Sequence, residues 1–429
     1  MSLVVDNKSA VTQNLLEQLQ KNSGKIAFMP DAEIVSAIRL LEDKGIPNNK
    51  HEDYKYCNIE AVLRKEFKTV EQSFNELANA DIAPLKIDEA INLVVVNGNY
   101  NEALSEKMIV KGLTVKSLNE LSSSEKTLLS SQAKSDTDAL IALNTAFTGN
   151  GLFLQVDKNN IIPMPLHVIY VNSGNSSNVT NTRNFVNIQA SAEVTLIESF
   201  YNIGTAKVFS NFVSEKFVGE NAKLTCYTFQ NEGALSYSVN TNQVRISKYS
   251  NYTNNTFTLS GELVRNNHNI ELADSNCEAN LNGLFITSGT QSVDNHTLID
   301  HQMPHCESNE LYKGIAKDKS VGTFNGKIFV RKDAQKTNAY QSSKNILMSD
   351  DATINTKPQL EIYADDVKCS HGTSTGKIDT EALFYLKARG IGEESARKLL
   401  LQAFAQELID KIEIPSLQER VLNLFEKAL

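Results

Sequence analysis

The Cys-x-His pair made by Cys369 and His371, in DDVKCSHGTSTG, is the smallest unit of this chain able to do chemistry. In extended backbone alternate side chains share a face, so the thiol and the imidazole would point the same way. An imidazolium beside a thiol favours the thiolate, which suits soft-metal or sulfur chemistry. The same two groups could also work as nucleophile and base. No glycine-flanked nucleophile elbow and no third orienting residue accompany them, so hydrolysis is the lesser reading. A strand-end Cys beside a turn His is the plain structural one. A denser group lies in HTLIDHQMPHCES: His296, His301, His305, Cys306 and Glu307. Such ligands at short spacing could hold zinc or iron. Strand alternation sends His305 and Cys306 to opposite faces unless Pro304 turns the chain. A hydrogen-bonded polar turn is the simpler reading of this group.

Other motifs carry less. GTFNGKI from Gly322 and GTSTGKI from Gly372 resemble phosphate loops, but each has three residues between its glycines and Ile after Lys. A Walker loop needs four, and a hydroxyl there to reach magnesium. This chain is expected neither to bind nor to hydrolyse ATP. LKARGIGEESARKLL, from Leu386, looks like a helix-hairpin-helix, yet Gly-Ile-Gly is equally a helix stop and restart. With a net charge of −9 and no block of Lys or Arg, the chain lacks the basic stripe that phosphate binding requires, so nucleic acid is not expected. The start, MSLVVDNKSA, has neither the basic segment nor the apolar run of a leader peptide. No stretch approaches the roughly 18–20 apolar residues of a membrane span. The five cysteines are odd in number, widely spaced and free of CxxC, which points to free thiols in a reducing, cytoplasmic setting.

These groups must be positioned by elements, and the chain changes character along its length. Hydrophobic residues make up 41% and charged residues 22%, enough for a folded core. Residues 1–85 read as an N-terminal helical domain. Leu15, Leu16 and Leu19 form one apolar face. Ile34, Val35, Ile38 and Leu41 form another over Asp31 to Lys44, with Asp31 as N-cap and Gly45 and Pro47 as the stop. Residues 86–150 are an α/β lead-in, with INLVVVNG as a buried strand and a helix over 135–147 capped by Ser135 or Asp136.

From 151 to 376 the helical period disappears. Runs of three to six β-formers, such as EVTLIES, KLTCYTF, GLFIT and KIFV, alternate with Asn-, Ser- and Gly-rich segments that read as turns. Ala273, in ADSNCEANLNGLFI, and Ala316, in AKDKSVGTFNGKIFV, each precede Asn-Gly by the same interval and lead into an apolar strand. Their separation suggests two solenoid coils of roughly 20 residues. ASAEVTLI from Ala190 and GENAKLTC from Gly219 are a second, weaker repeat. The expected fold is mainly β: a right-handed parallel β-helix core flanked by N-terminal and C-terminal α-helical domains. An antiparallel sandwich is the alternative built from the same short strands. Residues 377–429 return to helix in three amphipathic pieces, fitted either to cap the solenoid end or to dock another protein.

The text KPQLEIYADDVKCSHGTSTGKID, continued by TEALFYLKARGIGEESARKLLLQAF, resembles the C-terminal signature of the SufB/SufD family of iron–sulfur cluster assembly scaffolds. HTLIDHQMPHCESNELYKGI with FNGKIFV is similar to its middle. GIPNNKHEDYKYCNI is similar to its N-terminal segment, with Tyr54 where Trp is usual. Cys369-Ser-His371-Gly resembles the SufD branch, because the glutamate that follows the SufB histidine is Gly372 here. The resemblance implies a non-catalytic scaffold in a SufBCD complex. A SufC-type ABC ATPase would dock on the C-terminal helices, and a SufB-like paralogue would pair along the β-helix. Cys369 and His371 would lie at that interface, for iron acquisition or a nascent cluster. No cofactor would be held tightly by the isolated chain, only transient iron or Fe–S cluster in the complex. Alone, the chain could pair as a homodimer, since the partner is a paralogue with a similar edge. The competing class is a β-helix carbohydrate-active lyase or hydrolase, which would carry a secretion signal and a charged groove.

Overall fold

The computed structural model describes residues 10–22, 28–67, 74–107 and 109–429. The first nine residues, read above for a leader, lie outside the described residues. From Asn150 onward every strand pairs in parallel with the strand two places later, and the strands fall alternately into two sheets. Tyr237 pairs with Leu263, Leu263 with Ser292 and Ser292 with Val321 in one sheet. Lys223 pairs with Asn251, Asn251 with Glu278 and Glu278 with Glu307 in the other. The core is thus a parallel β-solenoid of about eight turns, the antiparallel sandwich is excluded, and parallel crossovers of this kind wind right-handed.

Two sequence expectations about the coil are corrected. One coil takes about 30 residues, as the steps from Ser292 to Val321 and from Glu278 to Glu307 show, and not roughly 20. The Ala273/Ala316 repeat spans one and a half coils: Asn282-Gly283 sits in strand Glu278–Thr287 of one sheet, Asn325-Gly326 in strand Val321–Val330 of the other. The weaker repeat is the true period, because Val194 pairs directly with Leu224. The strands are also longer than three to six residues; Val208–Val218 and Leu263–Leu272 are typical. The Asn residues read as turns lie inside the strands and bond from coil to coil. Asn266 Nδ2 donates to Asn295 Oδ1 at 3.0 Å, Asn282 to Asn255 at 3.0 Å, and Asn211 to Asn181 at 3.0 Å. Stacked amides satisfy one another along the axis, so a polar residue at such a position does not end a strand.

One corner of the coil is held by a repeated backbone device. Ser191, Asn221, Tyr249, Asn276, His305 and Lys336 all take left-handed conformations, with φ between 56° and 60°. Each donates its N–H to the carbonyl preceding the equivalent corner in the next coil, as Asn221 does to Lys248 O (2.9 Å) and His305 to Gln335 O (2.9 Å). The residue after each corner turns inward, and Val, Leu and Ile of both sheets fill the interior beyond it, among them Val194, Leu224, Val218, Ile246 and Leu272.

The helices pack against the outer faces of the sheets. Ala139–Phe147 lies on strands Asn178–Ile188 and Val208–Val218, where Asn144 Nδ2 donates to Thr182 O and Asn211 O at 2.9 and 3.0 Å. Its N-cap is Asp138, whose carboxylate accepts from Leu140 and Ile141 N–H, so the helix starts later than Ser135 or Asp136 would allow. The helix Asp31–Lys44 is capped by Pro30, and Asp31 is its first residue; Gly45, at φ 73°, ends it. The C-terminal helices Thr380–Ala388, Glu393–Ile409 and Pro415–Ala428 do not close the end of the solenoid. They lie along the other sheet's outer face, where Leu401, Ala405, Leu408 and Phe425 join one apolar cluster with Tyr227, Phe229, Phe257 and Ile315. Lys313 fixes them there, with Nζ 2.7 Å from Phe404 O and 2.7 Å from Glu407. No described helix is long and apolar enough to cross a membrane.

Candidate functional site

The last coil is where the solenoid stops. Strands Thr353–Ile362 and Lys368–Gly376 are the terminal members of their sheets, each with one edge unpaired. In the last pair Ala339 lies beside Cys369 and Gln341 beside His371. Ala339 and Gln341 are buried, so by register Cys369 and His371 belong to the interior face of the final coil. No further coil covers that face. His371 is exposed, and Cys369 is half-buried against Ile328, Val330, Ala339 and Ala364. Burial pushes the Cys369 thiol upward, opposed by a backbone hydrogen bond at Ala339.

Behind His371 runs a buried polar column. Gln341 Nε2 donates to Glu310 Oε1 at 3.1 Å, and Glu310 also accepts from Thr297 Oγ1 at 2.5 Å. Gln341 Oε1 has no partner. Burial pushes the Glu310 carboxyl up to about 7, against the pull of the Thr297 and Gln341 hydrogen bonds. The open end therefore presents an imidazole backed by an amide and a carboxyl, one coil apart each.

The second sequence group is not brought together. On strand Ser292–His301, His296 and His301 face opposite sides of the sheet. His301 points inward, its Nε2 2.9 Å from Ser308 Oγ. His305 is a left-handed corner residue whose N–H serves the corner ladder. Cys306 is buried just inside that corner. Pro304 and His305 do supply a turn, but it sends the two side chains apart. Among the described residues no three His, Cys, Asp or Glu side chains are arranged to hold a metal ion. The two phosphate-loop lookalikes are not loops at all, since Gly322 and Gly372 both lie within strands.

Two arrangements were not read from the sequence. The first fills a groove of about 660 Å³ between the N-terminal helices and one sheet. There Arg265 Nη1 meets Asp294 Oδ2 at 2.7 Å, His296 Nε2 lies 3.0 Å from Asp294 Oδ1, and the Arg265 guanidinium stacks 4.0 Å from the Tyr54 ring. Tyr54 in turn donates to Asp138 at 2.8 Å. Although burial works the other way, Arg265 and His296 hold the Asp294 carboxyl below its ordinary value. This network ties the N-terminal domain to the solenoid, and it is where His296 is used. The second is the stacking of Cys277 on Cys306 in successive coils. The closeness of the two thiols, with His301 near, sets Cys306 below the usual thiol range and Cys277 above it. By contrast, burial pushes Cys57 and Cys226 up to about 12. Both arrangements become visible in the text once the coil is set near 30 residues, because Arg265 and Asp294, and Cys277 and Cys306, are then one period apart.

The fold and its open end define a class: a parallel β-solenoid with helices along its sides, whose interior is exposed at one terminus. Comparison with known proteins makes the class specific. A family profile described as the SufBD core domain of the SUF system for FeS cluster assembly matches residues 170–404, and one described as the SufBD N-terminal region matches residues 18–168. The iron–sulfur cluster assembly protein SufD of Escherichia coli is 30% identical over 388 residues, covering 90% of each chain. A SufBD family protein of Synechocystis is 29% identical over 421 residues, covering 94% of this chain and 93% of its own. This chain belongs to the SufBD family.

Proposed function

We infer that the chain is a SufD-type, non-catalytic scaffold subunit of a cytoplasmic SufBCD complex that assembles iron–sulfur clusters. The observation that carries this is His371. It holds an interior register position, beside buried Gln341, yet it is exposed because the solenoid ends there. In this reading a SufB-like paralogue meets the two open strand edges, and Cys369 and His371 lie in the seam. Iron or the nascent cluster is cargo at that seam, received by an imidazole and a thiol, both suited to it. In isolation the same edges would pair with a second copy of the chain. A SufC-type ATPase would dock on the C-terminal helices, where Thr380–Ala388 buries no residue and Phe384 and Tyr385 are 73% and 58% exposed. Energy from ATP would then enter from outside this chain.

The test is co-expression with SufB- and SufC-type partners, followed by anaerobic absorption spectra of the purified complex. Wild type should develop the visible bands of a cluster, and His371→Ala should not. Equal cluster formation by both would remove His371 from the function.

A further inference from the structure

Cys277 and Cys306 occupy the same place in successive coils, each directly after a left-handed corner residue, Asn276 and His305. The whole ladder of that position is small and buried: Ala192, Ala222, Ser250, Cys277, Cys306 and Thr337. Among the described residues no other two cysteines stand on neighbouring rungs. Both thiols reach the same acceptor, with Cys277 Sγ 3.0 Å and Cys306 Sγ 3.2 Å from Asp274 O. The Glu307 N–H bonds to Cys277 O at 2.9 Å, which sets the two backbones at strand spacing. That spacing, about 4.8 Å, lies within the Cα separation of about 4.4–6.8 Å that a disulfide accepts.

A base stands beside the pair. His301 ends the strand before the corner. One ring nitrogen bonds Ser308, two residues past Cys306, and Nδ1 is buried without a partner. A shallow cleft of about 460 Å³ opens over the same corner, lined by Asn276, His305, Glu307 and Thr337, all within one residue of the thiols or of the next rung. Both thiols are buried beneath it, Cys277 1% and Cys306 0% exposed, so a small oxidant reaches them only as the corner opens.

We propose that Cys277 and Cys306 form a peroxide-reactive dithiol, a modification site at which a hydroperoxide converts two stacked thiols into a disulfide joining successive coils. Cys306, with its proton taken by His301, attacks the terminal oxygen of the hydroperoxide. The O–O bond breaks, an S–O bond forms, and the leaving oxygen departs as water or alcohol with the proton from His301. Cys306 is then a sulfenic acid. Cys277 sulfur attacks Cys306 sulfur, the S–S bond forms, and hydroxide leaves with the Cys277 proton as water. The protein loses two electrons and the hydroperoxide gains two. This chemistry is separate from the open end, since Cys369 takes no part.

The experiment uses the full-length chain, reduced, freed of reductant, exposed to a few equivalents of hydrogen peroxide and quenched in acid before alkylation and peptide mapping. The expected result is a fall from five alkylatable thiols to three, with one linked peptide pair containing Cys277 and Cys306. In Cys277→Ser the second step is impossible, so an oxygen adduct should accumulate on Cys306, trapped by dimedone. In Cys306→Ser neither product should form. Retention of all five thiols in wild type, a disulfide between any other two cysteines, or first oxidation at Cys277 would each overturn the proposal. The wild-type map alone decides, so a variant that folds poorly does not leave the question open.

Discussion

Gln341 and His371 stand on adjacent rungs of one interior column, and a single missing coil separates their environments: Gln341 is 3% exposed, His371 open to solvent. A side chain with interior register and surface exposure touches too little to support the fold. Replacing His371 with Ala should therefore change the unfolding free energy of the isolated chain by no more than about 0.5 kcal/mol. Urea unfolding of the two proteins checks this, and it separates a structural from a cluster-forming role for the residue.

Two glycines in the same fold should answer substitution in opposite ways. A Cβ at Gly372, on the terminal strand, would meet nothing within 4 Å, whereas one at Gly326 would meet Gln341 Nε2 at 2.2 Å and Phe324 Cζ at 2.7 Å. Gly326→Ala should cost about 1–3 kcal/mol through overpacking, read as a lower urea midpoint. Gly372→Lys should leave that midpoint in place but weaken edge pairing at the open end, read by sedimentation as a shift toward monomer or a loss of the SufB-like partner.

The C-terminal helices both cover a sheet and expose Phe384 and Tyr385. Removing everything after Gly376 would bare Tyr227, Phe229 and Phe257, so such a truncation reports stability as well as docking. The double change Phe384→Ala with Tyr385→Ala is cleaner. It should leave the thermal midpoint unchanged and lower affinity for a SufC-type ATPase by about tenfold or more, measured by calorimetric titration. Unchanged affinity would move the docking surface elsewhere.

Glu310 gives the solenoid a pH dependence. Its folded-state carboxyl is raised to about 7 by burial, above the ordinary value of about 4.3. The folded state then binds the proton more tightly than the unfolded chain. The contribution is complete below the unfolded value and is lost as pH rises through about 7. Stability should fall between pH 5 and pH 8 by up to the order of 3 kcal/mol from this residue. Measured as urea midpoints across the range, Glu310→Gln should reduce that fall without abolishing it, because burial raises Glu232 to about 7 as well.

The helical ends and the family resemblance could be read from the text because each rests on local signals: apolar faces, Gly and Pro stops, and one long signature. The solenoid was read from short β-rich runs and a repeat, of which only the weaker copy has the right period. The coil length could not be read, because the stretches from Ala273 and Ala316 are alike in sequence while their Asn-Gly pairs lie in different sheets. Asn255 and Asn282 looked like turn residues, and only the neighbouring coil reveals that their amides satisfy each other. The placement of Leu401 and Leu408 on a sheet face, not over the solenoid end, depends on where the chain folds back after Gly376. His296 was read among ligands, whereas its partners Arg265 and Asp294 lie on the same ladder one coil away or less. For the coil length and the stacked amides the missing information was lateral, carried by residues about one coil distant; for the C-terminal helices it lay in strands much further back along the chain.

The corner ladder explains why that period is so faint to the eye. Ser191, Asn221, Tyr249, Asn276, His305 and Lys336 share a torsion angle and a hydrogen bond but almost no chemistry. What recurs along this molecule is a shape of the main chain, and side chains at the bend are left free to differ. A pattern written in conformation leaves each turn able to acquire its own business, as two thiols have done on neighbouring rungs, without loosening the winding that holds them.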